Sequence, residues 1–323
     1  MTHFNDLAGA ENPIVFFSNG YGDHILTLPA MRALSHFYPN RLHVICGKGI
    51  HQTFFAGINF LSATEIVFGH DGKYKLFDWE EVAKHLGECD LFISLNPWHS
   101  PAMDNLLQSL NTTTIGFFDA YKIHLKRSPS THAVDLAFSI PKFLGPDLKL
   151  VDFVSPPQLN SESVSFARDF KHNIAYQKRI LVVHAETLSN KMWHKPHFVK
   201  VLNLFLNNHP DFIVCVVGLS DLQICSEPFL GRCFNLLRHP LHHSFALIEQ
   251  ADLFIGIDSS MLHAADFFGI PGVGLFGPTK ADEFGFRFAL HRHIQGVSTL
   301  DQIAPETVYE ALESLWAVVS SNL

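Results

Sequence analysis

The sequence has no lysine- or arginine-rich run, no Cys-x-x-Cys pair, and few charges, 17% of 323 residues. A net charge of −8 without a basic cluster excludes nucleic-acid binding as the main business of the surface and gives no support for a strongly anionic lipid partner. Five cysteines (Cys46, Cys89, Cys215, Cys225, Cys233) are odd in number and never at metal-ligand spacing, so neither a disulfide framework nor a zinc knuckle is expected, only reduced, mostly buried thiols. No stretch approaches the roughly 18 apolar residues that cross a bilayer. The start, "MTHFNDLAGAENP", lacks both the basic opening and the apolar core of a signal peptide; no transmembrane segment and a cytoplasmic location are expected. There is no Gly-x-Ser-x-Gly elbow for a serine hydrolase and no His-Glu-x-x-His. Among the 21 histidines, His239, His242 and His243 lie close together in "RHPLHHS", read as a solvated loop and not as a metal site.

What is present is apolar: 47% hydrophobic residues, 30 of them phenylalanine, enough for a large core. At roughly 100 to 200 residues per domain the length favours two domains. Short apolar runs alternate with helix-length amphipathic segments, first in one half and then again in the other, which is the α/β pattern of parallel sheets covered by helices. "PIVFFS", "LHVIC", "EIVFG", "LFISL" and "TTIGFF" read as strands of the first half, with "ILTLPAMRALSHFY" as a helix carrying Pro29 near its first turn. "RILVVHA", "FIVCVVG", "LFIGI" and "GVGLFG" read as strands of the second. The Pro-Pro and Ser/Asn content of "LKLVDFVSPPQLNSESVS" marks a connector, giving domains 1–158 and 159–323. The closing amphipathic helix, within 304–320, is free to pack on either domain.

Ligands of parallel sheets collect at the carboxyl ends of strands, where helix N-termini offer unpaired N–H groups and a partial positive charge. Three such exits lie in the second half. In "GIDSSMLHAADFF", Asp258 or Ser259 caps a helix whose first amides, at Ser259, Ser260 and Met261, suit a phosphate; Asp258 as a plain N-cap is the alternative. In "HAETLSNKMWHKP", Thr187, Ser189 and Asn190 surround an isolated Lys191, either a diphosphate ligand or a solvated lysine. "FGPTK" adds Thr279 and Gly277, where glycine permits close backbone approach. In the first half, Gly20 and Gly22 flank a tight turn before Asp23, which is either an N-cap or a carboxylate able to take a proton from a hydroxyl. Without a third glycine the match to a dinucleotide-binding loop is weak. His263 is either a donor contact or a buried imidazole satisfied by a carbonyl.

Together "GDHILTLPAMRAL", "HAETLSNKMWHKPHFVKVL", "ADLFIGIDSSMLHAADFFGIPGVGLFGPT" and the closing helix resemble the heptosyltransferase-type glycosyltransferases of family 9. The resemblance implies two Rossmann-like domains whose parallel sheets face a central cleft, the GT-B arrangement. It implies an acceptor-side first domain and a donor-binding second one. By the same resemblance Asp23 corresponds to the catalytic base, Thr187 and Lys191 to donor diphosphate contacts, and Asp258, Ser259 and His263 to nucleotide-sugar contacts. Ser260 stands where glycine is common, and Ser220 or Asp221 where an acidic residue meets the nucleoside. The implied reaction is an inverting transfer of a sugar, a heptose in this family, from a nucleoside-diphosphate sugar to an acceptor hydroxyl. Lys191, Thr187, the serines and the helix amides neutralise the leaving group, with no metal and no cofactor. Gly22, Trp98, His99, Lys122, Lys126 and Arg127 are acceptor-side candidates, for a glycan, lipid-linked, small-molecule or protein acceptor. Two rival readings share the architecture, a nucleotide-sugar epimerase and a non-catalytic nucleotide-sugar binding protein.

Overall fold

The structure, a computed structural model, describes residues 7–175, 177–186 and 191–322. It divides into two compact units, Met1–Gln158 and Leu159–Leu323. The first contains strands β1 (Pro13–Phe16), β2 (His43–Gly47), β3 (Ser62–Ile66), β4 (Phe68–His70), β5 (Lys75–Phe77), β6 (Leu91–Ser94), β7 (Thr113–Gly116) and β8 (Ile123–His124). Its helices are α1 (Tyr21–Phe37), α2 (Ile50–Phe54), α3 (Trp79–Leu86), α4 (Pro101–Ser109) and α5 (Ala133–Leu144). The second contains β9 (Arg179–His184), β10 (Phe212–Gly218), β11 (Cys233–Leu237), β12 (Leu253–Ile257), β13 (Gly272–Phe276) and β14 (His291–Gln295). Its helices are α6 (Ser161–Asn173), α7 (Lys195–Asn208), α8 (Leu241–Glu249), α9 (Ser260–Phe267), α10 (Ala281–Phe284) and α11 (Pro305–Ser320).

Each unit carries a parallel six-stranded sheet, β3-β2-β1-β6-β7-β8 in one and β11-β10-β9-β12-β13-β14 in the other. With the antiparallel β4–β5 hairpin set aside, both follow the doubly wound order 3-2-1-4-5-6. The winding direction reverses between β1 and β6, and again between β9 and β12. The central strands of the second sheet, "ILVVH", "FIVCVVG" and "LFIGI", are buried along their length, as continuous β-branched runs must be when helices cover both faces. Their register, Leu253 beside Leu181 and Gly256 beside His184, brings the exits of β9 and β12 side by side.

Local chemistry sets the helix starts. The Asp78 carboxylate accepts the amides of Glu80 and Glu81 at the start of α3, Ser100 Oγ accepts that of Met103 in α4, and Asn160 Oδ1 accepts that of Ser163 in α6. Helix α6 therefore begins inside the segment expected as connector. Upstream, Arg32 donates to the carbonyls of Phe153, Ser155 and Pro156, at 3.3, 2.6 and 2.9 Å, and holds the proline-containing stretch against the first unit. The closing helix α11 packs on α7, β13 and β14, within the second unit. Three further expectations change. "EIVFG" is not one strand: the chain breaks at Val67, 72% exposed, so that β4 can pair with β5. Helix α1 starts earlier than expected, at Tyr21, which places Pro29 in its buried interior. "RHPLHHS" is no solvated loop, because α8 begins within it and His243 Nδ1 lies 3.0 Å from Ser163 Oγ under the Phe166 ring.

Candidate active site

The second unit's switch point is occupied by a charge pair. Lys191, from the segment after β9, donates from Nζ to Asp258 Oδ2 at 2.7 Å across the gap between the β9 and β12 exits. Thr279, from the exit of β13, donates its hydroxyl to the same oxygen at 2.8 Å, and His263 Nε2 lies 3.6 Å from the other oxygen. Three exits of one sheet thus converge on one carboxylate whose side chain is 8% exposed. Burial of that degree requires the partners, because an unpaired carboxylate there would lose its hydration without compensation. Two residues on, Trp193 anchors the segment, buried at 2% exposure with its indole N–H on the Ile303 carbonyl at 3.1 Å.

Asp258 is therefore not the N-cap of α9, and Lys191 is not a solvated lysine. The N-cap is Ser259, in extended conformation and without a side-chain cap bond. Its hydroxyl oxygen is buried and has no hydrogen-bond partner among the described residues. Ser260 opens the helix, half-buried. The first amides of α9 and the Ser259 hydroxyl form an anion-accepting end beside the Lys191 ammonium. At Gly277 a Cβ would stand 3.0 Å from the Leu300 amide nitrogen, so the glycine accommodates the close approach of the chain's own backbone. Thr187 and Ser189 lie outside the described residues.

At the β10 exit the structure brings in a residue that sequence reasoning passed over. The Glu186 carboxylate accepts the backbone amides of Leu219 and of Ser220, the latter at 2.8 Å. Two residues earlier, at the end of β9, His184 Nδ1 lies 2.9 Å from the Val217 carbonyl, and burial pushes its imidazole below the usual histidine range. Ser220 has its amide on Glu186, while Asp221 Oδ1 accepts the Gln223 amide at 3.0 Å. The only signal for Glu186 was its place just past a strand, a weak one without the fold.

The first unit's switch point is tied by neutral hydrogen bonds. Asn96 Oδ1, after β6, accepts the Ser18 amide at 3.0 Å, and the Trp98 indole N–H donates to the Ser18 carbonyl at 3.0 Å. Arg127 reaches the Pro97 carbonyl at 2.8 Å, and His99 Nε2 pairs with Asp104 Oδ1 at 2.7 Å. Of the acceptor-side candidates, Trp98, His99 and Arg127 thus gather at this edge. Lys126 is exposed, and Lys122 turns to the Thr112 carbonyl. Gly20 is the N-cap of α1, with φ −64° and ψ 161°, so the Gly-x-Gly stretch is a helix start and not a left-handed turn. Gly22 and Asp23 sit inside its first turn, which also removes Asp23 as an N-cap. A Cβ on Gly20 would stand 3.2 Å from Asp23 Oδ2, so the carboxylate leans back over the helix start. His24 anchors this turn: its Nδ1 lies 2.8 Å from the Gly20 carbonyl while its ring packs on Phe17, Phe54 and Phe55, and burial pushes its pKa down to about 4.

The family model of glycosyltransferase family 9 (heptosyltransferase) matches residues 116–317. The chain belongs to glycosyltransferase family 9. As a member it is a glycosyltransferase, and its two parallel sheets have the GT-B fold. The enzyme is 23% identical over 266 residues to lipooligosaccharide heptosyltransferase 2 of Campylobacter jejuni, a span of 80% of this chain and 79% of that one. Its fold is similar to that of a family 9 glycosyl transferase from Veillonella parvula, with a TM-score of 0.75 and 18% identity over 95% of this chain and 97% of the other. It is also similar to E. coli ADP-heptose lps heptosyltransferase II, with a TM-score of 0.70 and 15% identity over 95% and 99%. The family match takes in the whole Lys191–Asp258–Thr279 cluster. It begins after Asp23, which it does not cover. No helix among the described residues is long and apolar enough to cross a membrane.

Proposed function

We propose that this family 9 enzyme transfers a sugar from a nucleoside-diphosphate sugar to an acceptor hydroxyl with inversion, using Asp23 as base and Lys191 with the α9 N-terminus to neutralise the leaving diphosphate. The supporting observation is the meeting of Lys191 and Thr279 on Asp258 beside that N-terminus, at the switch point of the second sheet. An ammonium has three N–H donors, so engagement with Asp258 leaves capacity for diphosphate oxygens in a fixed position. Thr279 donates its hydroxyl hydrogen bond to Asp258 and in this reading supports the carboxylate rather than the substrate. Charge growing on the diphosphate as the anomeric bond breaks meets groups already oriented, so the step needs neither metal nor cofactor. On the opposite face the acceptor oxygen loses its proton to a carboxylate as it attacks, the role given to Asp23.

The named relatives support a heptose as the sugar and a lipooligosaccharide as the acceptor. A cytoplasmic site of action fits the five free cysteines. A screen of nucleoside diphosphates for thermal stabilisation tests the donor site, since a ligand that prefers the native state must raise its Tm. Incubation of the stabilising nucleotide's sugar derivatives with and without acceptor then separates transfer from epimerisation. Stabilisation by none of the nucleotides, or sugar interconversion without acceptor, overturns the reading.

A further inference from the structure

The exit of β10 presents two consecutive backbone amides, those of Leu219 and Ser220, in the arrangement that loops use to bind an anion. The chain fills it with its own anion, because both oxygens of the Glu186 side chain are engaged there. The opposite side of the same loop is held by Arg238, whose amide donates to the Gly218 carbonyl at 2.7 Å and whose Nε donates to the Leu219 carbonyl at 3.1 Å. Gly218 has a φ of +150°, and a Cβ on it would stand 2.7 Å from Glu186 Oε1, so the sequence accommodates the carboxylate through a glycine. The amides of Leu219 and Ser220 and the carbonyls of Gly218 and Leu219 are therefore committed before any ligand arrives, and the loop's side chains are what it can offer.

Resting on the donor-site reading above, we propose that Glu186 is a positioning residue that sets the direction in which the nucleotide lies along the sheet edge. Its negative charge occupies the amide pocket at β10 and excludes the diphosphate from it, which leaves the Lys191 and α9 end as the cationic side of the groove. The hydroxyl-bearing nucleoside then falls to Ser220 and Asp221, on a loop whose height above the sheet Glu186 fixes. A carboxylate with two amide bonds does this better than an amide, which has one acceptor oxygen and would set an N–H against an N–H.

Calorimetric titration of the full chain with ADP, UDP, GDP and CDP, and separately with inorganic pyrophosphate, tests this. Glu186→Gln is expected to weaken the preferred nucleoside diphosphate by about tenfold or more, the loss of a charged hydrogen bond. Pyrophosphate, held by Lys191 and the helix amides, is expected to stay within about twofold. Gly218→Ala, which leaves the carboxylate in place but crowds it, is expected to reproduce the split and decides the matter should Glu186→Gln not fold. Nucleotide affinity unchanged in both variants, or nucleotide and pyrophosphate weakened alike, overturns the role given to Glu186. If the unmutated protein binds pyrophosphate but none of the four nucleotides, the donor-site reading falls and takes this inference with it.

Discussion

The two units wind their sheets in the same order and reverse direction at the same place, yet they fill that place with opposite chemistry. At the β1/β6 crossing the chain ties itself with an amide, an indole and two carbonyls, with Arg127 on the adjoining Pro97 carbonyl, a carboxylate in the first turn of α1 and a histidine there held neutral by burial. At the β9/β12 crossing it places an ammonium and a carboxylate 2.7 Å apart, flanked by the uncapped start of α9. Topology supplies a crevice in both cases, and residue choice at the strand exits decides what the crevice can bind. A crossing tied by an amide and an indole, with a carboxylate at the start of the adjoining helix, suits removal of a proton from a hydroxyl. A wall with a held cation and free helix amides suits a departing anion.

The contrast can be broken most sharply in the first unit. Asp23→Asn is expected to lower turnover by about 10² to 10⁴, the range for loss of a positioned base, with nucleoside diphosphate affinity unmoved. Equal loss of affinity would place Asp23 on the donor side and dissolve the division of labour. Next, Lys191→Met is expected to cost about a hundredfold in kcat, as for one preorganised donor. It also leaves the Asp258 carboxylate with only Thr279 and His263, so urea denaturation is expected to show a loss below the roughly 3 to 5 kcal/mol of a broken buried pair, reduced further because Lys191 is itself 22% exposed. Unchanged stability would mean that Thr279 and His263 suffice to hold Asp258.

The buried histidine of the first unit has its own signature in acid. His24 takes its proton at pH 6.5 in the unfolded chain and at about 4 in the folded one. Above pH 6.5 both states leave it neutral. Between the two values the unfolded state carries the extra proton, so stability falls as pH falls, by about 3 kcal/mol in total, and levels off below about 4. Subtracting the denaturation profile of His24→Leu from that of the unmutated protein is expected to isolate this slope, and parallel profiles would show that His24 does not carry it. The smallest effect is expected from Trp98→Phe, which removes one neutral bond to Ser18. A loss of about 1 kcal/mol without change in nucleotide affinity would sharpen the comparison.

The sequence by itself determined the class of fold and most of the elements. Runs such as "FIVCVVG" and "LFIGI" have only one stable use, as central strands covered on both faces, and "PETVYEALESLWAVVS" has one apolar stripe. The polar, half-buried or short strands at the sheet edges, β8, β11 and β14, carried too little pattern to be read. Asp23, Lys191 and Asp258 were legible as candidates because unusual residues stood at strand exits. Their bonding was not, because a residue's partner is set by which strands become neighbours. Whether Asp258 caps a helix or holds a lysine depended on the pairing of β12 with β9, some 70 residues apart in sequence, and the same pairing of β9 with β10 gave Glu186 its two amides. Periodicity and capping act within one element, whereas a buried charge is satisfied across elements, and only the tertiary structure decides which ones meet.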